Sequence, residues 1–159
     1  MKKLLTTRSI CFSAAIAGIY TVLTLLLAPI SYGDWQCRVS EALTMLPLLF
    51  PQAIPGLFIG CILANLLGPS AGVLDIVFGS LATLIAALGT WALRKNKWLA
   101  ALCPVAANGL IVGGVLAFSY NLPFWLTALQ VAVGEALAVL VGLILVRALK
   151  KTDLEKYAG

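Results

Sequence analysis

The sequence contains no histidine at all. That excludes imidazole metal sites, Ser-His and Cys-His nucleophile pairs, and histidine proton relays. Charge is nearly as scarce: only 11% of the 159 residues are charged, against 62% hydrophobic, and the mean hydropathy is +1.04. A water-facing surface needs about 25% charged residues, so the solvent for most of this chain is lipid. The four cysteines (Cys11, Cys37, Cys61 and Cys103) show no CxxC spacing. Three lie in apolar runs and read as buried small hydrophobes, while Cys37 falls in a polar loop without an evident partner. Also missing are a phosphate-cradling lysine loop, a glycine-rich nucleotide fingerprint, an acidic cluster for a metal, and a selectivity filter. No carboxylate stands near a nucleophile, so no catalytic residue and no metal ligand is assigned. Binding or transport is the expected activity.

What charge there is sorts by position. The net charge of +5 comes from residues between hydrophobic runs, a topology signal and not a nucleic-acid face. The opening MKKLL imitates a secretory signal, but the apolar run from Ser9 to Pro29 is long enough to span and lacks a small-residue cleavage site. The segment from Glu41 to Leu67 carries Pro47, Pro51 and Pro55, and reads as one kinked helix or as two short ones with a turn near Pro51-Gln52. Two helices give six spans and place ten of the eleven basic residues on the side of the termini; one helix gives five and scatters them. The expectation is therefore an all-α integral membrane protein with six transmembrane helices, both termini cytoplasmic, folded as a single domain with an outward-facing pocket. The spans fall at about 9–28, 37–50, 53–67, 73–93, 99–118 and 124–146, with 147–159 as a cytoplasmic tail.

Polar residues at membrane depth mark the candidate site. Counted from the turn near Asn121, Asn108 and Glu135 lie 13 and 14 residues away on adjacent helices, at one depth roughly 20 Å down. A carboxylate there costs at least ~2.5–3.5 kcal/mol unless partnered, and such residues mark ligand or ion paths. The small residues on its helical face, Ala128, Ala132, Ala138 and Gly142, suit close helix packing or a cavity. Asn65 and Asp75 flank the turn at Ser70 at equal distance, near the outer surface. Arg38 is the one basic residue outside, three positions from Glu41, and the two could form a surface ion pair worth ~0–1 kcal/mol. Together with Trp35 as a possible aromatic lid, Arg38, Glu41, Asn65, Asp75, Asn108 and Glu135 outline a pocket open to one side. On the first span, Ser13 lies over Ala17 and Ala14 over Gly18, small residues at a spacing that lets a helix approach, from within the chain or from another subunit.

The stretch YGDWQCRVSEALTMLPLLFPQAIPGLFIGCILANLLGP (32–69), followed by LDIVFGSLATLIAAL (74–88), resembles the QueT family of substrate-binding S-components of energy-coupling factor (ECF) importers. The likeness covers nearly the whole chain, about Ser9 to Lys150, with Gln36, Arg38, Ser40 and Glu41–Leu43 and the run Asp75–Leu84 carrying most of it. It implies a bacterial plasma-membrane protein that captures a queuosine precursor from outside, a 7-deazaguanine base such as 7-aminomethyl-7-deazaguanine. It also implies partners: a transmembrane coupling subunit, touched by Ser13, Ala14, Ala17 and Gly18, and two ABC-type ATPases. ATP would be used by those ATPases only, and this chain would need no cofactor. The residues suit the ligand. A carboxylate accepts from N1–H and the exocyclic amine of a guanine edge together, a second receives a cationic aminomethyl group, and Arg38 or an asparagine amide donates to O6. Glu41 or Glu135 takes the edge and the other, or Asp75, the amine; Asn108 supports and Trp35 stacks on the ring. The alternatives are an S-component for another vitamin-like solute, or a stand-alone small channel or carrier.

Overall fold

Caps and prolines set where the helices begin and end. In the computed structural model, which describes residues 6–32, 37–69 and 72–152, α1 (Thr7–Leu26) opens on Thr6, whose hydroxyl accepts from the Ser9 N–H at 3.2 Å. A single turn, α2 (Ala28–Ser31), follows with Pro29 in its first turn, where a missing N–H costs nothing. A 3-10 helix over Val39–Leu48 and α3 (Ala53–Leu67) come next, then a π-wound turn, Asp75–Gly79, that runs directly into α4 (Ser80–Ala92). The Asn96 side chain caps α5 (Lys97–Tyr120), which stops at Asn121 in the left-handed region (φ 53°) before Pro123. α6 (Phe124–Leu149) completes the chain of elements, and among the described residues every regular element is helical.

Four helical stretches, Thr7–Leu26, Asp75–Ala92, Lys97–Tyr120 and Phe124–Leu149, are long and apolar enough to cross a membrane. Val39–Leu48 and Ala53–Leu67 are shorter apolar helices, separated by a turn at Pro51-Gln52. The proline-rich segment is thus two helices. The surface is inverted relative to a protein in water. Large side chains such as Leu26, Val73, Phe118, Leu129 and Ile144 point outward, whereas the interior holds Ala64, Ala82, Ala86, Ala87, Thr24, Thr83 and Thr90. Lipid offers leucine no reason to turn inward, so helices are held by close approach of small residues and by hydrogen bonds between them.

The centre belongs to the 3-10 helix, which touches α1, α3, α4, α5 and α6 and is buried without interruption from Ser40 to Pro47. Runs of 3-10 winding this long are uncommon. Pro47 removes a backbone donor from its second half, and the Thr44 hydroxyl donates to the Glu41 carbonyl at 2.6 Å, competing with regular α bonding. On the far side, α6 approaches so closely at Gly142 that any side chain there would strike the Ala42 carbonyl and Met45.

The first helix packs on α3 in the same manner. A Cβ on Gly60 would lie 2.9 Å from the Ala17 carbonyl oxygen and from Tyr20 Cβ, and one on Gly56 would meet the Ser13 carbonyl. Ser13 donates to the Gln52 carbonyl at 2.7 Å and Ala17 is buried, whereas Ala14 and Gly18 face outward, with nothing within 4 Å of a Cβ built on Gly18. One small-residue row on α1 is therefore engaged with α3, and the other is exposed on the neighbouring face. Gly60→Val should lower the unfolding free energy in detergent by about 1–3 kcal/mol through overpacking, while Gly18→Ala should leave it unchanged. Equal melting temperatures for both variants would refute this close approach.

The cysteines depart from expectation. Only Cys61 is buried; Cys11 is exposed on an outward helix face, where lipid accepts a thiol as a small hydrophobe, and Cys103 is half-buried against Gly89 of α4. Cys37 does find a partner, donating to the Gly134 carbonyl at 3.5 Å.

Candidate functional site

Arg38, Glu41, Asn108 and Glu135 come together around one small hollow, with Val112 and Val131 forming its apolar walls. Three elements supply them: the start of the central 3-10 helix, the middle of α5 and the middle of α6. Arg38 and Glu41 are 6% and 2% exposed, so they are not the surface pair their spacing first suggests. The 3-10 helix lies inside the bundle and carries both inward. Asn108 and Glu135, matched in depth by counting from Asn121, are 4% and 3% exposed and face each other across the α5–α6 contact. The close approach of Gly109 and Gly113 to Ala132 and Ala128 brings their helices together. The hollow is narrow. It has room for about one water molecule.

Glu41 is held by residues that the sequence did not single out. Tyr20, fully buried on α1, donates its hydroxyl to Glu41 Oε1, and Thr83 on α4 donates to the same oxygen at 3.0 Å. Around them, Thr24 bonds to the Tyr20 carbonyl at 2.8 Å and shares a hydrogen bond with Ser40 at 2.7 Å. Thr83 also leans on the Cys61 thiol at 3.4 Å. This polar network ties α1, α3 and α4 to the central helix. A tyrosine midway along an apolar span was the available signal, since its hydroxyl needs a partner wherever it is buried.

Four buried polar atoms on the hollow's lining have no hydrogen-bond partner among the described residues: Arg38 Nε, Glu41 Oε2, Asn108 Nδ2 and Glu135 Oε1. The Asn108 amide faces both carboxylates without closing a well-formed bond to either. Buried groups left in this condition cost about 1–3 kcal/mol each, more when charged, so four at one place need an explanation. As a set they comprise one cation, two carboxylates and an amide, a lining that can accept from and donate to a planar polar solute.

Asn65 and Asp75 are neighbours, as their equal distance from the turn suggested, but neither lines this hollow. Asn65 donates to the Asp75 carbonyl at 3.0 Å and secures the π-wound turn, while the Asp75 side chain is only half-buried. Trp35 lies outside the described residues. Tyr32 is anchored: its hydroxyl donates to the Ala64 carbonyl at 2.6 Å, and its ring lies 5.3 Å from the Arg38 guanidinium carbon. Burial pushes its phenol up, against the pull of Arg38, so it remains a neutral donor.

The chain matches the model of the QueT transporter family over residues 10–151. It is 30% identical over 166 residues to the queuosine precursor transporter QueT of Lactococcus lactis subsp. cremoris (strain MG1363), an alignment covering 94% of this chain and 97% of that protein. No solved structure matches it significantly.

Proposed function

This chain belongs to the QueT transporter family, and on that premise we propose that it is the substrate-binding S-component of an ECF-type importer. It is a membrane protein and a transporter, not an enzyme. Its solute would be a queuosine precursor, a 7-deazaguanine base such as 7-aminomethyl-7-deazaguanine, captured outside a bacterial plasma membrane. The observation that carries this reading is the buried set Arg38, Glu41, Asn108 and Glu135, whose unpartnered atoms offer acceptors and donors to a flat polar base inside an otherwise apolar bundle.

The topology that goes with it has six crossings in one domain, with both ends in the cytoplasm. The short Val39–Leu48 and Ala53–Leu67 helices then cross as a pair, their broken backbone shielded by the other helices. The Arg38 end of the central helix faces outside, and the basic Arg94–Lys97 turn faces inside with the termini.

Transport would need a transmembrane coupling subunit and two ABC-type ATPases, which alone use ATP; this chain takes no cofactor. Of the four small residues on α1, Ser13 and Ala17 are engaged with Gln52 and with α3, so the coupling subunit would dock on the Ala14–Gly18 side. Mass spectrometry of the small molecule that copurifies with the full-length protein in detergent tests the reading. A 7-deazaguanine base is expected, and saturable binding of an unrelated vitamin in its place would overturn it.

A further inference from the structure

The two carboxylates of the hollow are not equivalent. Glu41 Oε1 is occupied by two hydroxyls, from Tyr20 and Thr83, which arrive from α1 and α4. Oε2 is left, buried and without a hydrogen-bond partner among the described residues. The side chain is therefore fixed in direction and can accept at one oxygen. Glu135 has no such ties: among the described residues no hydroxyl donates to it, its Oε1 is buried and unpartnered, and it shares the hollow with Arg38, Glu41 and the Asn108 amide.

Two-point and one-point recognition make different demands. A carboxylate that receives two parallel N–H groups, as from an amidine-like edge with N1–H beside an exocyclic amine, needs both oxygens free and coplanar with the donors. An alkylammonium is a point charge with rotatable donors, satisfied by a single well-held oxygen. Glu41 cannot make the first kind of contact without breaking its bonds to Tyr20 and Thr83. Glu135 can.

We infer that Glu135 reads the two-donor edge of the base while Glu41, held by Tyr20 and Thr83, receives the ligand's ammonium group through Oε2 alone. This rests on the reading of the site as a 7-deazaguanine pocket and assigns its parts. Tyr20 and Thr83 are then positioning residues that set preference among bases differing at the side chain, and Glu135 sets whether a base binds at all.

The test measures equilibrium binding of two ligands to the full-length protein in detergent: 7-aminomethyl-7-deazaguanine, and the same base with a methyl in place of the aminomethyl group. Glu135→Gln should weaken both by at least about 100-fold, since one acceptor becomes an NH2 that opposes a ligand donor and the remaining hydrogen bond loses its charged acceptor. Glu41→Gln should weaken the aminomethyl base by about tenfold or more and the methyl base by less than about threefold, erasing the preference. Tyr20→Phe, which unties Oε1, should lower that preference in the same direction, a ratio that general loosening of the bundle would not move. Should Glu135→Gln fail to fold, Glu135→Asp keeps the charge, shortens its reach, and should also weaken both bases. An equal loss for both bases with Glu41→Gln, or a loss confined to the aminomethyl base with Glu135→Gln, overturns the assignment and leaves the pocket standing. Failure of the wild-type protein to bind either base removes the pocket and the assignment together.

Discussion

Replacing Arg38 by leucine should destabilise the protein by about 3–5 kcal/mol, the largest effect expected from any single change in the hollow. Arg38 is buried beside Glu41 and Glu135, the electrostatic partner of both. Its removal leaves the Glu41 and Glu135 carboxylates sharing a narrow, buried hollow with the Asn108 amide and no cation from the other lining residues. The desolvation of these groups is already present in the folded state, and the cation that offsets it is gone. A second substitution separates this cause from lost packing. Arg38→Leu combined with Glu135→Gln removes the repulsion along with the cation, and it should recover most of the lost stability. The measurement is unfolding of the full-length protein by heat or denaturing detergent, run as a double-mutant cycle. Additive losses in the double variant would mean that the three charges do not act as a unit.

The second large effect lies outside the hollow. Gly142→Val should displace the central 3-10 helix, because a side chain at 142 meets the Ala42 carbonyl and Met45, and Ala42 follows Glu41 directly. Backbone cannot give way as a flexible side chain can, so α6 and the central helix must separate. The expected cost is about 1–3 kcal/mol in stability. Ligand affinity should fall by about tenfold or more, since displacement of functional groups by about 1 Å is costly to a site built on fixed geometry. Gly114→Ala is the control. It also sits on an interior helix, but the only atom near its Cβ is the edge of the Phe124 ring at 3.4 Å, which can move. Affinity unchanged in Gly142→Val would show that the position of Glu41 is set from the α1 and α4 side alone.

The helical segments were legible in the sequence because apolar run length, proline and basic clusters are local signals that lipid makes strict. Depth was legible too. Counting from the turn at Asn121 brought Asn108 and Glu135 to the same level, and they share the hollow. The same counting paired Asn65 with Asp75, and the two do touch, through an amide and a backbone carbonyl. What counting cannot supply is which partner a side chain takes: Asn65 is buried but spent on the Asp75 carbonyl and the Cys61 thiol, and neither it nor Asp75 lines the hollow. For Arg38 and Glu41 the missing fact was an element's place in the bundle. A three-residue spacing reads the same on a surface turn and on a helix enclosed by five others. Tyr20 and Thr83 were hidden for a different reason. Each is one ordinary residue in a long apolar run, and its importance appears only when three helices converge on Glu41.

The winding of the central helix has a mechanical consequence. At about 2.0 Å per residue, ten residues of 3-10 helix extend roughly 20 Å, and the same ten wound as α would extend roughly 15 Å. With the Leu48 end fixed, rewinding would shift Glu41 by about 3.5 Å, but Pro47 has no N–H to give the Leu43 carbonyl and its ring would clash there, so the segment is held at its longer setting. The segment that carries Glu41 is thus a slender strut kept at its longer length by Pro47 and the Thr44 hydroxyl, and enclosed by five helices.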